Sequence, residues 1–267
     1  MSLNLNLQQV TDLAHDYRVI PVIQTLFAGS ETPLSVFEKL AANKAGSFLL
    51  ESAEQGVWAR YSFVGVNNRG MLTQANDGYP GGTTNTVPTW TSATGATALP
   101  NGEALSSKPI EALAQLQQAW TSPTLPGLPP LVSGLVGAIG WDMIREIEHL
   151  PNAPKADFKA PLLAFAMFQD LVVLDHHNSS VLLVSNVFVT SSVNIEFAYA
   201  DALERIAAMR TQLLEPSVSQ LAELDLGGVI NPRNRVAKHD FLKAIEDSKH
   251  FVRIGDVFQV VLSQRFD

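Results

Sequence analysis

The chain has 267 residues, 18 Lys+Arg against 26 Asp+Glu, a net charge of −8, 46% hydrophobic residues and no cysteine. Without cysteine there is no disulfide framework, iron–sulfur cluster, thiolate zinc site or cysteine nucleophile, and no need of an oxidising compartment, so a cytoplasmic location is expected. The acidic balance and the lack of a basic run speak against a nucleic-acid groove, and the apolar content against disorder.

The opening residues, MSLNLNLQQVTDLAHDYR, show no basic leader followed by a long apolar stretch. Thr32-Pro33 predicts a helix start, with Thr as N-cap, Pro at the first position and Leu34, Phe37, Leu40 and Ala41 as the apolar stripe. The helix should end near Asn43 to Gly46. SFLLES and VWARYSFVG, rich in aromatic and β-branched residues around a break at Glu54-Gln55-Gly56, predict a β-hairpin.

From Gly78 to Gly102 no residue is charged and Thr, Gly, Ala and Pro dominate, which predicts a loop or insertion. Ser107-Lys108-Pro109 opens a second helix carrying Ile110, Leu113, Leu116 and Trp120, stopped by the prolines from Pro123 onward. The uncharged stretch Thr124 to Trp141 is too rich in Pro and Gly to span a membrane as a helix, and no membrane partner is expected. AFAMFQDLVVLDHH and SVLLVSNVFV predict an antiparallel pair joined near Asn178, and a helix follows over Ile195 to Leu214. Glu215 to Arg235 is irregular and suits a domain junction.

At the end, Phe241, Ile245, Ser248 and Val252 share a helical face, Gly255 suits a C-cap, and VFQVVLSQ alternates as a strand. A strand so close to the terminus lacks neighbours, which suggests a fragment whose last thirty or so residues are of low stability. Strands close in sequence, interleaved with helices, indicate an α+β fold of antiparallel sheets flanked by helices.

Several groups carry candidate chemistry. His176-His177 near Asp170 and Asp175 offers metal donors, yet adjacent strand residues point to opposite faces and a polar HHNSS turn needs no metal. Asp142, Arg145, Glu146, Glu148 and His149 could serve acid–base chemistry, but a solvated helical face with an Asp142–Arg145 pair accounts for them. Gly134, Gly137 and Gly140 match neither the dinucleotide fingerprint nor the phosphate loop, leaving close backbone packing. Gln259 lies mid-strand on the face of Val257, Val261 and Ser263, where a buried amide either ties down backbone or faces a pocket. Glu51 and Ser52, ending SFLLES, could hold an amino group beside an apolar ring covered by Leu49 or Leu50; the bland alternative is a strand running into a polar turn.

SFLLESAE, RYSFVG, GLVGAIGWDMIREIEHLP, QDLVVLDHH and above all IGDVFQVVLSQRF together resemble the large component of the anthranilate synthases, within the chorismate-utilising enzymes. Ala138 and Trp141 stand where that family has Tyr. The resemblance implies an α+β protein that acts as a carbon–oxygen lyase on chorismate. It implies Mg²⁺, ammonia supplied by a glutamine amidotransferase subunit (component II), and feedback inhibition by tryptophan. It places Leu50, Glu51, Ser52 and Ala53 in the tryptophan site, and Gln259 where related isochorismate and salicylate synthases carry a water-activating lysine. Residues 1–230 would form the regulatory domain and 231–267 the start of the chorismate-binding domain. The Mg²⁺ ligands, the catalytic His and the other wall of the tryptophan pocket would lie past Asp267, so this chain alone is expected to be inactive. Aminodeoxychorismate synthase component I and a non-catalytic amino-acid-binding module are the alternatives.

Overall fold

The structure is a computed structural model that describes residues 3–51, 60–79, 84–92, 95–153, 160–216, 227 and 231–267. The chain divides into two compact units, Met1–Ser217 and Val218–Asp267.

The first unit is organised by β6 (Leu163–Asp175), whose side chains are almost all buried or half-buried. Such a strand needs a paired neighbour on each side and cover on both faces. β7 (Ser180–Phe188) returns antiparallel to it after the turn at Ser179, and β1 (Val19–Phe27) pairs with the far edge of β7. On the other side lies β3 (Tyr61–Gln74), followed by the three-residue β2 (Phe48–Leu50). The sheet is seven-stranded in the order β1-β7-β6-β3-β2, with β4 (Thr89–Thr91) on β3 and β5 (Leu135–Ile139) on β6. All these pairings are antiparallel. The two predicted strand pairs therefore form, although the turn at Glu54-Gln55-Gly56 lies outside the described residues. The segment from Gly78 to Gly102, expected as loop, contributes β4, the buried Tyr79 and Leu99, and Trp90 lying over Gly70. Its isolated aromatic and leucine side chains pack without needing a periodic face.

α1 (Leu7–Leu13), α2 (Pro33–Leu40) and α4 (Ile195–Leu214) join one apolar cluster with the strands, in which Val10, Leu40 and Ile206 meet Val64, Val172 and Leu183. Their starts follow from local chemistry: Asn6, Thr32 and Asn194 each accept the N–H of the residue three positions on. Ser35 returns the bond to the Thr32 N–H, completing a capping box. The predicted stripe of α2 needs one correction. Leu34 is exposed and Val36 fully buried, because the sheet lies on the side of Val36 and Leu40. In α3 (Pro109–Ala119), likewise, Ile110 is exposed while Ala112 and Leu116 are buried. Leu116 packs with Trp120, Leu72, Leu163 and Phe188 in a second cluster. A third gathers Phe168, Leu171, Val173 and Val184, partly covered by Leu128, Leu131 and Val132 of the proline-rich segment.

Close backbone packing, expected of the glycines near β5, holds at two of them. A Cβ on Gly137 would lie 2.0 Å from the Ala164 carbonyl oxygen, and one on Gly140 2.6 Å from that of Pro161. At Gly65 the obstacle is instead the Phe48 ring, 2.2 Å away. A ring can turn aside and a paired strand cannot. Gly137→Ala is expected to cost at least the upper end of the usual overpacking range, about 1–3 kcal/mol, and more than Gly65→Ala, as urea denaturation of both variants would show.

In the second unit α5 (Lys238–Ile254) ends at Gly255, whose φ of 85° is the left-handed value of a helix C-cap. The strand predicted for VFQVVLSQ does not form. Among the described residues this stretch joins no strand ladder; the one bridge nearby, Asn234 to Phe266, lies beyond its end, so the stretch lacks the neighbour a strand requires. Val260 and Leu262 instead line an open cavity of about 580 Å³ with Phe241, Ile245 and Val252 of the helix.

Candidate functional site

The end of β2 builds the first candidate site. Phe48 and Leu50 project from one face of this strand and Leu49 from the other, by ordinary alternation. Leu49 packs against the helical cluster, while Phe48 joins the third cluster, over Gly65 and edge-on to Phe168 with ring centroids 5.6 Å apart. Leu50 pairs in register with Phe63 and remains 42% exposed. Phe63 meets Tyr61 at 6.1 Å, and the Arg60 guanidinium stands 4.8 Å from the Tyr61 ring. Leu50 thus stands beside an aromatic shelf formed by Phe48, Phe63 and Tyr61. Exposed Glu51 follows directly at the strand end. An apolar shelf next to a carboxylate is suited to an aromatic amino acid with its ammonium at the acid. Ser52 and Ala53 lie outside the described residues.

Arg60 is anchored by Asp175, which accepts from its Nε at 3.0 Å and from a terminal nitrogen at 2.7 Å. Asp175 also accepts from the His177 N–H and the Asn178 amide. The Arg60 hydrogen bond holds the Asp175 carboxyl below the usual carboxylate range, outweighing burial, and the His177 N–H adds to it. With the folded value depressed, the stabilisation is full above the unfolded pKa near about 3.9 and is lost as pH falls through the folded value. The difference in urea midpoint between the parent and Asp175→Asn is expected to be constant from pH 7 to about 5 and to shrink below about pH 4.

Of the other sequence candidates, His176, Asp142, Arg145 and Glu146 serve as structural ties, while Glu148 and His149 are exposed. His176 shares a hydrogen bond of 2.8 Å with the Ser62 hydroxyl, and among the described residues no three His, Asp or Glu side chains converge to hold a metal. The Mg²⁺ implied by the resemblance therefore has no fitting donor set among them. Trp141–Glu146 forms a 3-10 helix in which Arg145 pairs with Asp142 at 3.1 Å, as expected. Asp142 also accepts from Asn76, and Tyr79 donates to Glu146 at 2.8 Å. Burial, followed by that bond to Glu146, pushes the Tyr79 hydroxyl pKa well up. These acids and bases satisfy one another and fasten the segment around Tyr79 to the 3-10 helix.

Gln259 is exposed in the second unit, as are Phe258 and Val261 around it, and not buried within a strand. The expectation of a buried amide is thus corrected, for the same reason that the strand does not form.

A buried polar network was missed in the sequence. Asp170, fully buried in β6, accepts from the Ser185 hydroxyl at 2.7 Å, Arg205 Nε at 3.0 Å and the Asn67 amide at 2.7 Å. Arg205 also donates to the Asn186 carbonyl and pairs with Asp201 one turn earlier. The β3–β6 register shifts beside it, between Gly65 and Gly70, which brings Asn67 opposite Asp170. The available signal was the placing of Asp170 and of Ser185-Asn186 inside otherwise apolar strands. Arg69, in the same irregular stretch, stacks on Trp120 and Phe188 at 4.8 and 4.6 Å, and burial lowers its pKa to about 10.

Residues 68–267 match the family of chorismate binding enzymes. The chain belongs to that family. Its curated relatives include anthranilate synthase component 1 of Arthrobacter globiformis, 35% identical over 98% of this chain and 48% of the relative. The protein of the same name from Mycolicibacterium smegmatis is 33% identical over 96% of this chain and 46% of its own length. The crystal structure of anthranilate synthase component I from Streptococcus pneumoniae TIGR4 aligns with a TM-score of 0.57 at 21% identity, covering 90% of this chain and 48% of that one. This likeness establishes the shared α+β fold. The chain spans about half the length of the curated relatives it matches. Among its described residues no helix is long and apolar enough to cross a membrane.

Proposed function

We propose that this member of the chorismate-binding family is the N-terminal part of an anthranilate synthase large subunit acting in cytoplasmic tryptophan biosynthesis. The observation that carries the reading is identity of 35% to a protein of that name along 98% of this chain. The reaction adds ammonia at C2 of chorismate with loss of the C4 hydroxyl, then eliminates pyruvate to leave anthranilate. A glutamine amidotransferase subunit supplies the ammonia. Mg²⁺, acting as a Lewis acid, is held by residues in the portion of the relatives that this chain does not span.

Within this reading, residues 1–230 are regulatory and 231–267 open the chorismate-binding domain. Leu50 with the aromatic shelf takes the tryptophan ring and Glu51 its ammonium, with Ser52 and Ala53 completing that wall. Gln259, where a lysine would activate water, leaves ammonia as the nucleophile. Its exposure supports the view that the 267 residues alone do not turn over chorismate.

The test supplies chorismate, Mg²⁺ and ammonium to the chain alone and to the chain co-expressed with the C-terminal half of the Arthrobacter globiformis relative. Anthranilate fluorescence is expected only from the pair, suppressed by tryptophan. Anthranilate from the chain alone would refute its inactivity. Aminodeoxychorismate as the product of the pair would replace this reading with aminodeoxychorismate synthase.

A further inference from the structure

Between β1 and α4, away from the end of β2, lies a cavity of about 310 Å³ walled by Leu3, Leu203, Ile206 and Leu214. Its size is at the lower end of the range for small-molecule sites. Three polar residues depart from this apolar lining; the Thr211 hydroxyl is spent on the Ala207 carbonyl, which leaves Gln24 and Arg210. Gln24, in the otherwise apolar run VIPVIQTLF of β1, is 3% exposed, yet its side-chain oxygen has no hydrogen-bond partner. A buried acceptor left unpaired is costly, and such groups recur where a ligand or water completes them. The terminal torsion of an amide is broad and two-fold, so little is needed to present its oxygen to the cavity.

The second group is Arg210 of α4, which lines this cavity and a neighbouring one of about 400 Å³ that reaches Phe27 and Glu31. Glu31 does not neutralise it, being held by Lys39 at 2.5 Å and by the Ser35 hydroxyl at 2.7 Å. Among the described residues Arg210 makes no ion pair. A half-buried guanidinium free of internal carboxylates, beside apolar walls, is a receptor for an external carboxylate, which it binds through two parallel hydrogen bonds.

We propose that this cavity binds a small carboxylate whose apolar body carries an N–H group: the carboxylate on Arg210, the N–H on the Gln24 oxygen, the body against Leu203, Ile206 and Leu214. The net charge of −8 gives no general attraction for anions, so recognition rests on Arg210 locally.

The probe is 2-aminobenzoate, titrated into the full chain by calorimetry, with benzoate lacking the N–H and aniline lacking the carboxylate. Saturable binding of 2-aminobenzoate is expected, weakened roughly tenfold or more by Arg210→Gln and roughly fivefold by Gln24→Met. Benzoate should bind weakly and be indifferent to Gln24→Met, and aniline indifferent to Arg210→Gln. Both substitutions leave apolar packing in place, and circular dichroism confirms that the variants fold. No saturable binding, or binding that neither substitution weakens, would overturn the proposal.

Discussion

Replacing Asp170 by alanine is expected to destabilise the protein by about 2–4 kcal/mol, because it takes one of two carboxylates from a largely buried cation and the acceptor from two neutral donors at once. The carboxylate is fully buried and accepts from Arg205, Ser185 and Asn67, which come from α4, β7 and β3. Alanine offers none of them an acceptor, and water has no ready access to replace it. Arg205 keeps one carboxylate, the half-exposed Asp201, which holds the loss below that of a wholly abandoned charge. Adding Arg205→Met to Asp170→Ala should recover a large share of the loss, since removing both charges costs far less than removing one. Urea denaturation of the two single variants and the double variant checks this. A loss under about 1 kcal/mol for Asp170→Ala would mean that the network is solvated and the burial argument fails.

That network also shows where sequence reasoning stops. The strands β6 and β7, the 20-residue helix α4 and the Thr32 cap were legible, because alternation, helical spacing and capping are local properties. Which polar residues meet across a sheet depends on register, and here the register shifts three times between Gly65 and Gly70. Helix faces were legible in period but not in phase. Leu34 and Ile110 fit the spacing and still point to solvent, because the packing partners of α2 and α3 fix the phase. At the candidate site, Leu50 and Glu51 could be named from the LLES segment, but the aromatic shelf beside them could not. Phe48 and the pair Phe63 and Tyr61 of the shelf, together with the Phe168 that meets Phe48, are brought together by two separate strand pairings. Gln259 failed differently: its strand pattern is real, but a pattern without a partner makes no ladder.

The shelf makes the second large effect expected. Phe168→Ala should cost about 3–5 kcal/mol, the usual range for truncating a buried phenylalanine, since its ring is 1% exposed and wedged edge-on against Phe48. The loss should be unevenly distributed. β2 is three residues long and pairs among the described residues only with β3, so its position depends on Phe48 being clasped between Phe168 and the bare backbone of Gly65. Removing the Phe168 ring frees Phe48 to move, and hydrogen exchange at the β2 amides should accelerate more than at β7, where the pairing to β1 and β6 is untouched. Phe168→Leu, which refills part of the volume, should retain most of the β2 protection. Uniform acceleration across the sheet would show that β2 is held by its ladder alone. The aromatic shelf would then be a passive surface, with no part in holding Leu50 and Glu51 where an amino-acid ligand could meet them.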